Sequence, residues 1–495
     1  MQGRNAFFRI TPDEANVLCV FAVNRGQINN RLDPYANNPK FHVAFNKIKK
    51  LPLVPLRDCA EVIFSGITPK SGGDAYTDGD GVLFIKSGCL SIDGTVTVDE
   101  TSKIKHEIHN GLMKSSKLKS KDVLIAIVGA TIGKVGLYNY DREANINQAI
   151  AAVRLKKDVL PEFLVAYMLS PMGQTYLEFL KRPVARANIN LQEIGEIGVP
   201  ILTIEQQQQF IESYNNAKEN RRNKLKQADI SRKNISTELT TSLDINISKG
   251  KSDLITVLEL SQIMGNATHR LDPKCYDKKF QVMRNELNRT HYPTYKLKDL
   301  IIDIIGGDWG IAPEETSETY TKCLVLRATE IDNKDNVDIC EDKAQYRQIE
   351  KKKLAAMNVE LGDIIIEKSG GSPDQPVGRV IYVDRISYNG CPIAYSNFMT
   401  KIKVNKTLID PYYLFEYLRF VYGIGLTEVM QNQTNGIRNL ILEEFLEQTI
   451  IVPENNYKIG QNIKQQRISI KGIELSAEKE WQEAKAQFEK ELLGV

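Results

Sequence analysis

The chain has 495 residues, 42% hydrophobic and 26% charged, which suits two to four globular domains and excludes a disordered or fibrous protein. No apolar run reaches the ~18 residues of a membrane span, and a net charge of +3 excludes a polybasic surface, so any nucleic-acid contact has to rest on local charge. Seven scattered cysteines without a Cys-x-x-Cys pair fit free thiols, and Met1-Gln2-Gly3-Arg4-Asn5 opens no signal-peptide pattern; the expected location is the cytoplasm.

In chain order, 17–23 reads as a buried strand leading into Arg31-Leu32-Asp33-Pro34. From about 51 to 200 short β runs alternate with turn residues. Val82–Ile85 and Val123–Val128 are the clearest strands, and Ser71–Asp74 and Asp78–Gly81 are loops. Pro161 suits a first helical position, with Leu164, Tyr167, Met168 and Leu169 at helical spacing behind it. Thr203 and Gln206 form a capping box, and no Pro or Gly follows until after Leu243. Some forty helical residues would extend about 60 Å, and a stripe as thin as Ile204, Ile211, Tyr214, Ala217, Leu225, Ala228, Ile235 and Leu239 predicts a coiled-coil arm. The second half repeats this plan: a β-rich stretch over 292–453, then a closing helix with Ile470, Ala477, Trp481, Ala484 and Phe488 near heptad spacing. An antiparallel pair of these helices would bury both stripes.

The repetition is literal in places. Arg270-Leu271-Asp272-Pro273 restates Arg31-Leu32-Asp33-Pro34 at an offset of 239 residues, and Lys279-Phe280 restates Lys40-Phe41. Asp122 and Gly129 meet Asp363 and Gly370 at 241, and Gly133-Lys134-Val135 meets Gly378-Arg379-Val380 at 245. Asn190-Leu191 is set against Asn439-Leu440 at 249, and Gly66-Ile67-Thr68-Pro69 against Gly310-Ile311-Ala312-Pro313. A period this long means two whole domains in tandem, not a solenoid.

Catalytic patterns are missing. Asp33-Pro34-Tyr35 lacks the second proline of an amino-methyltransferase loop, and there is no phosphate loop. His106-Glu107-Ile108-His109 has the wrong spacing for a zincin and reads as two surface histidines. Asp363 with Glu367-Lys368 loosely suggests a nuclease cluster, but the repeat sets Ala126-Ile127 opposite the latter pair. The lysines at 114, 117, 119 and 121 read as a solvated face.

Ser65-Gly66-Ile67-Thr68-Pro69, Lys121-Asp122-Val123-Leu124-Ile125, Gly129-Ala130-Thr131-Ile132-Gly133-Lys134, Asn147-Gln148, Asn190-Leu191 and the Ile204-Glu205-Gln206 helix start follow in order. In this order the chain resembles the specificity subunit of type I restriction–modification systems. The resemblance implies an α+β fold in which two tandem β-rich target-recognition domains are separated by long helices forming an antiparallel coiled coil. The segments would be an N-terminal piece (1–50), recognition domain 1 (51–202), a central helical region and linker (203–290), recognition domain 2 (291–453) and a C-terminal helix (454–495). It implies sequence-specific binding of double-stranded DNA without catalysis or a cofactor of the chain's own. Two modification (methyltransferase) subunits and the restriction (endonuclease/translocase) subunits would be the partners, and these use S-adenosylmethionine, ATP and Mg. A cryptic nuclease or methyltransferase, and a coiled-coil scaffold that binds no DNA, are the alternatives.

Base edges are read by Arg, Lys, Asn and Gln, and phosphates by Lys, Arg and amides. The candidate DNA contacts are Thr68, Lys70, Lys86, Lys134, Arg186, Asn188 and Asn190 in the first half, and Arg327, Arg379, Gln433, Asn435, Arg438 and Asn439 in the second. No metal ligands are expected.

Overall fold

The computed structural model describes residues 33–48, 51–70, 74–99, 101–182, 187–247, 252, 257–264, 270–315, 317–331, 345–372, 375–434 and 436–494. The strand expected at 17–23 lies outside them, as do Arg31-Leu32, Arg186 and Asn435. The chain divides into two compact units, residues 1–226 with 474–495 and residues 227–473. Each unit takes part of both long helices.

In the first unit the strands are β1 (Leu53–Pro55), β2 (Ala60–Ser65), β3 (Tyr76–Thr77), β4 (Val82–Ile85), β5 (Lys103–Ile104), β6 (Asp122–Ala126), β7 (Val135–Tyr138), β8 (Ala144–Ile146), β9 (Ile150–Leu155) and β10 (Gly198–Pro200). One four-stranded sheet has the order β2-β9-β6-β7 and the other β3-β5-β4-β8, while β1 and β10 pair as a ribbon with Leu53 opposite Pro200. Side chains alternate across a strand, and here both faces are covered. Val123, Ile125, Ala151 and Val153 face the cluster built with helices α1 (Pro39–Ile48), α2 (Pro161–Leu169) and α3 (Pro171–Leu180). Leu124, Ala126, Ile150 and Ala152 join Leu83, Ile85 and Ile146 of the other sheet. That two-sided burial is why β6 reads as an unbroken apolar run. Pro161 does occupy the first turn of α2, where its missing N–H costs nothing. Asn190 caps the short α4 (Leu191–Gly195).

Helix α5 (Ile204–Ser242) and the last helix, whose ends are Asn456 and Leu493, both persist without a break. Within the first unit they run antiparallel: Phe210 meets Phe488 with centroids 5.3 Å apart, Tyr214 meets Trp481 at 4.9 Å, and Arg221 pairs with Glu478 at 3.2 Å. Partner numbers fall as α5 rises. Buried Gln207 and Tyr214 and half-buried Arg221 recur every seven residues, as a coiled-coil seam requires.

The second unit repeats the plan with β11 (Thr294–Lys296), β12 (Ile301–Gly306), β13 (Tyr320–Leu326), β14 (Tyr346–Glu350), β15 (Ile364–Glu367), β16 (Ser369–Gly370), β17 (Val380–Tyr382), β18 (Ser387–Tyr388), β19 (Cys391–Tyr395), β20 (Met399–Val404), β21 (Gln431–Thr434), β22 (Ile437–Leu440) and β23 (Thr449–Ile451). Its helices include α6 (Lys278–Asn288), α7 (Pro411–Gly423), α8 (Leu442–Leu446) and α9 (Asn456–Leu493). Sheet β12-β20-β15-β17 matches β2-β9-β6-β7, and β14-β13-β19-β18 again holds one parallel pair, with Leu324 beside Ile393 where the first unit sets Leu83 beside Ala144. Ile364, Ile366 and Ile402 face the helices, while Ile365, Ile381 and Met399 face the other sheet. The addition is a three-stranded sheet, β16-β22-β21. Here too α5 and α9 pack together: Ala228, Ile235, Leu239 and Leu243 share a core with Ile459, Ile463 and Ile470, and Gln466 donates to Glu238 at 2.5 Å.

The geometry corrects three points. Asn188, not Asn190, is the equivalent of Asn439: Ile189 N–H bonds Ile127 O as Leu440 N–H bonds Lys368 O, an offset of 251. Gly66 matches Gly307, not Gly310, since a Cβ on either would strike the carbonyl oxygens of the strand end beside it. His109 is only 2% exposed, held by Asn145 at 2.5 Å, while His106 is a surface group. The start of α9 is intact. Gly460 lies inside that helix because it passes against Asp410, the cap of α7, where a Cβ would come within 2.9 Å of Tyr413 N.

Lys121 carries a φ of +73°, and its counterpart Gly362, at the 241 offset, has +91°. A left-handed non-glycine residue costs ~1–2 kcal/mol, partly offset by the entropy a glycine adds to the unfolded chain. Lys121→Gly is therefore expected to stabilise the protein by about 0.5–1 kcal/mol in urea unfolding.

Candidate nucleic-acid interface

In the first unit one rim gathers several candidates. Gly66 N–H bonds Asn147 O at 3.3 Å, which turns the chain so that Thr68 donates its hydroxyl to Gln148. Asn147 N–H bonds Ile85 O at 3.2 Å, and this sets Lys86 beside the same turn. Lys86 donates to Ser102 at 3.0 Å and lies over the rings of Phe84 and Tyr76. Ile127 N–H bonds Ala149 O, and Val128 then bridges Asn188. Lys134 follows left-handed Gly133, whose carbonyl accepts from Gln174 at 2.9 Å. Lys70 is exposed just beyond Thr68. Asn190 stands apart, with its side chain accepting from Glu193 N at 2.7 Å while Glu193 bonds back to its N–H.

In the second unit the β21–β22 hairpin carries the candidates. Gln433 lies opposite Arg438 on one face, and Asn432 opposite Asn439 on the other. Ser369 donates to Asn439 at 2.8 Å, and β16 extends the ribbon. The other two candidates turn inward. Arg379 meets the Glu367 carboxylate at 2.8 and 2.9 Å and donates to Ile331 O and Ala328 O. Burial works against its charge, but the bonds and charge of Glu367 outweigh burial and raise its pKa. Arg327 grips buried Glu330 three residues on through two nitrogens. The geometry thus gives Asn190, Arg327 and Arg379 internal work, each because a carboxylate sits within reach.

Among the described residues, Lys70, Lys134, Asn188, Gln433 and Arg438 keep side-chain heads with no hydrogen bond or ion pair. Of the candidates, they are the ones open to a ligand.

Sequence reasoning missed two aromatics here. Phe398 is 49% exposed where the first unit has Ala149, and its carbonyl accepts from Lys368 and Ser369 beside the hairpin. Trp309 stacks under Arg347 at 4.9 Å. It also missed Gln207, next to the quoted Glu205-Gln206 pair, which accepts from Leu160 N at 2.8 Å and donates to Asp158 O, so that α5 clasps the start of α2. Asn456 does this for α7 by accepting from Asp410 N at 2.8 Å.

The suggested carboxylate cluster is spent on internal pairs. Asp363 holds fully buried Lys401 at 2.8 Å and Glu367 holds Arg379, and among the described residues no group of three or more His, Cys, Asp or Glu is placed to hold a metal. Also among them, no helix is long and apolar enough to cross a membrane.

Residues 53–227 match the family model for the type I restriction modification DNA specificity domain. Over 133 residues the chain is 35% identical to the EcoBI type I restriction enzyme specificity subunit of Escherichia coli, a match that spans 27% of this chain and 27% of that relative's length. Solved structures matched by the chain include the S subunit of a type I restriction–modification system from M. genitalium, at 12% identity over 88% of this chain and 96% of that one, with a TM-score of 0.39. Another is a structure described as the basis of complex assembly and conformational transition of the type I R-M system, at 15% identity over 90% of this chain and 97% of that one, with a TM-score of 0.45.

Proposed function

We propose that this chain, whose residues 53–227 match the family model for the type I restriction modification DNA specificity domain, is a non-catalytic specificity subunit that reads a bipartite, asymmetric DNA target. The second unit repeats the strand order of the β2-β9-β6-β7 sheet and serves as the second reader. Each unit takes one half-site, and the complex includes two methyltransferase subunits together with the restriction subunits.

The observation that carries this reading is the cross-strand pair Gln433 and Arg438 on the β21–β22 hairpin, both with uncommitted heads. A β-ribbon fits the major groove, where Gln reads adenine and Arg reads guanine through paired hydrogen bonds. The first unit offers a different set, Lys70, Lys134 and Asn188 among the described residues, so the half-sites differ.

The test uses the full complex on DNA with each half-site randomised in turn. Arg438→Ala should relax discrimination at one base pair of the second half-site by about 1–3 kcal/mol. Lys134→Ala should weaken binding evenly across sequences and lower the salt slope by about 1. If Arg438→Ala leaves every position of both half-sites unchanged, the hairpin does not read bases and the assignment fails.

A further inference from the structure

The repeated Arg-Leu-Asp-Pro motif has no part in the reading above, yet in its second copy the arginine is bound directly to the hairpin. Arg270 leads from the linker into the 3₁₀ turn Pro273–Tyr276 and its side chain is only 16% exposed. Its Nε donates to Asp272 at 2.7 Å. One terminal nitrogen donates to Val429 O at 2.6 Å and lies 3.2 Å from the Glu444 carboxylate, and the other reaches Gln431 O at 3.3 Å. Val429 ends the 3₁₀ turn two residues before Gln431, the first residue of β21, while Glu444 lies in α8, which follows β22. One guanidinium therefore holds both roots of the ribbon.

The neighbours make the hold rigid. Tyr276 donates its hydroxyl back to Arg270 O at 2.6 Å, Cys275 thiol bonds Asp272 at 3.2 Å, and Met430 O accepts from Ile441 N at 2.7 Å across the base of the hairpin. Burial opposes the Arg270 charge, but Glu444, Cys275 and Asp272 outweigh it and raise its pKa, so it stays cationic. The planar fork matters: lysine has the charge but cannot reach two carbonyls and two carboxylates at once.

We propose that Arg270 is a positioning residue that fixes the pose of the β21–β22 ribbon, and with it which base pair Gln433 and Arg438 address. This rests on the ribbon reading DNA as proposed above. The alternative is that Arg270 merely stabilises the second unit as a whole.

Hydrogen exchange on full-length wild type, Arg270→Ala and Arg270→Lys separates the two, with Leu271→Ala, a change at a 76% exposed side chain, as control. Losing charge-assisted bonds at both roots should speed exchange of the 431–440 amides by about tenfold to a hundredfold in Arg270→Ala, with the β15 and β20 amides unchanged. Arg270→Lys should fall between. On randomised DNA in the full complex, Arg270→Ala should blur the second half-site by about tenfold and leave the first intact, since no base-reading group has been removed. Faster exchange across the whole second unit, or none in the ribbon, would overturn the proposal. Should wild type itself select no DNA sequence, the functional reading falls, while the exchange result still decides whether Arg270 fixes the ribbon.

Discussion

Replacing residues 53–200 with the matching segment of a relative is expected to substitute one half of the DNA target and leave the other half unchanged. The junctions follow from the fold. Strands β1 and β10 pair from Leu53 with Pro200 to Pro55 with Gly198, so a cut at these ends moves a closed domain and keeps its ribbon in register. A cut inside the ribbon would join strands from two parents, and a one-residue slip there would turn every side chain to the wrong face. The graft should also respect the clasp at Gln207, which bonds Asp158 O and Leu160 N from outside the exchanged segment through backbone groups any donor supplies. Mapping methylated adenines in cells carrying the exchange reads both half-sites at once. A change in both would show that the domains do not read independently.

How much of this was legible in the sequence depends on the kind of signal. The repeat register and the buried strands came through because strands covered on both faces leave runs such as Val123–Val128 and Ile364–Ile366. The long helices came through because nothing breaks 203–243 and the seam keeps its spacing. The β21–β22 hairpin did not, because Gln431–Thr434 is wholly polar and offers no apolar alternation to read. Sequence types pointed to Gln433, Arg438 and Asn188 without saying which heads were already spent. Arg379 looks like Lys134 in the repeat, yet Glu367 stands opposite it, where the first unit has Ala126. The match of Asn190 with Asn439 needs the offset to fall from 250 at Gly173 and Gly423 to 249, whereas strand pairing shows that it rises to 251. His109 looked like a surface residue because Asn145, its partner, is 36 residues away.

Trp481→Ala is expected to be the most damaging single substitution in the first unit. The indole is 1% exposed, packs on Tyr214 and sits in one cluster with Phe163, Tyr214 and Phe488. Removing a buried Trp or Phe side chain costs about 3–5 kcal/mol through lost burial and an unfilled cavity. At the seam of two helices the void cannot close unless one helix moves, which the ion pair of Arg221 with Glu478 opposes. Among the described residues, the indole N–H has no hydrogen-bond partner, and neither does the Tyr214 hydroxyl. Trp481→Phe keeps most of the volume and removes an unpaired donor, so it should cost less than about 1.5 kcal/mol. Tyr214→Phe removes a buried hydroxyl without a protein partner and should be neutral or stabilising by up to about 1 kcal/mol. Urea unfolding of the full chain followed by circular dichroism orders the three. If Trp481→Ala and Trp481→Phe lose the same stability, the cavity argument is wrong and the indole N–H is bonded after all. If Tyr214→Phe destabilises by more than about 1 kcal/mol, the hydroxyl is satisfied, as an ordered water would do.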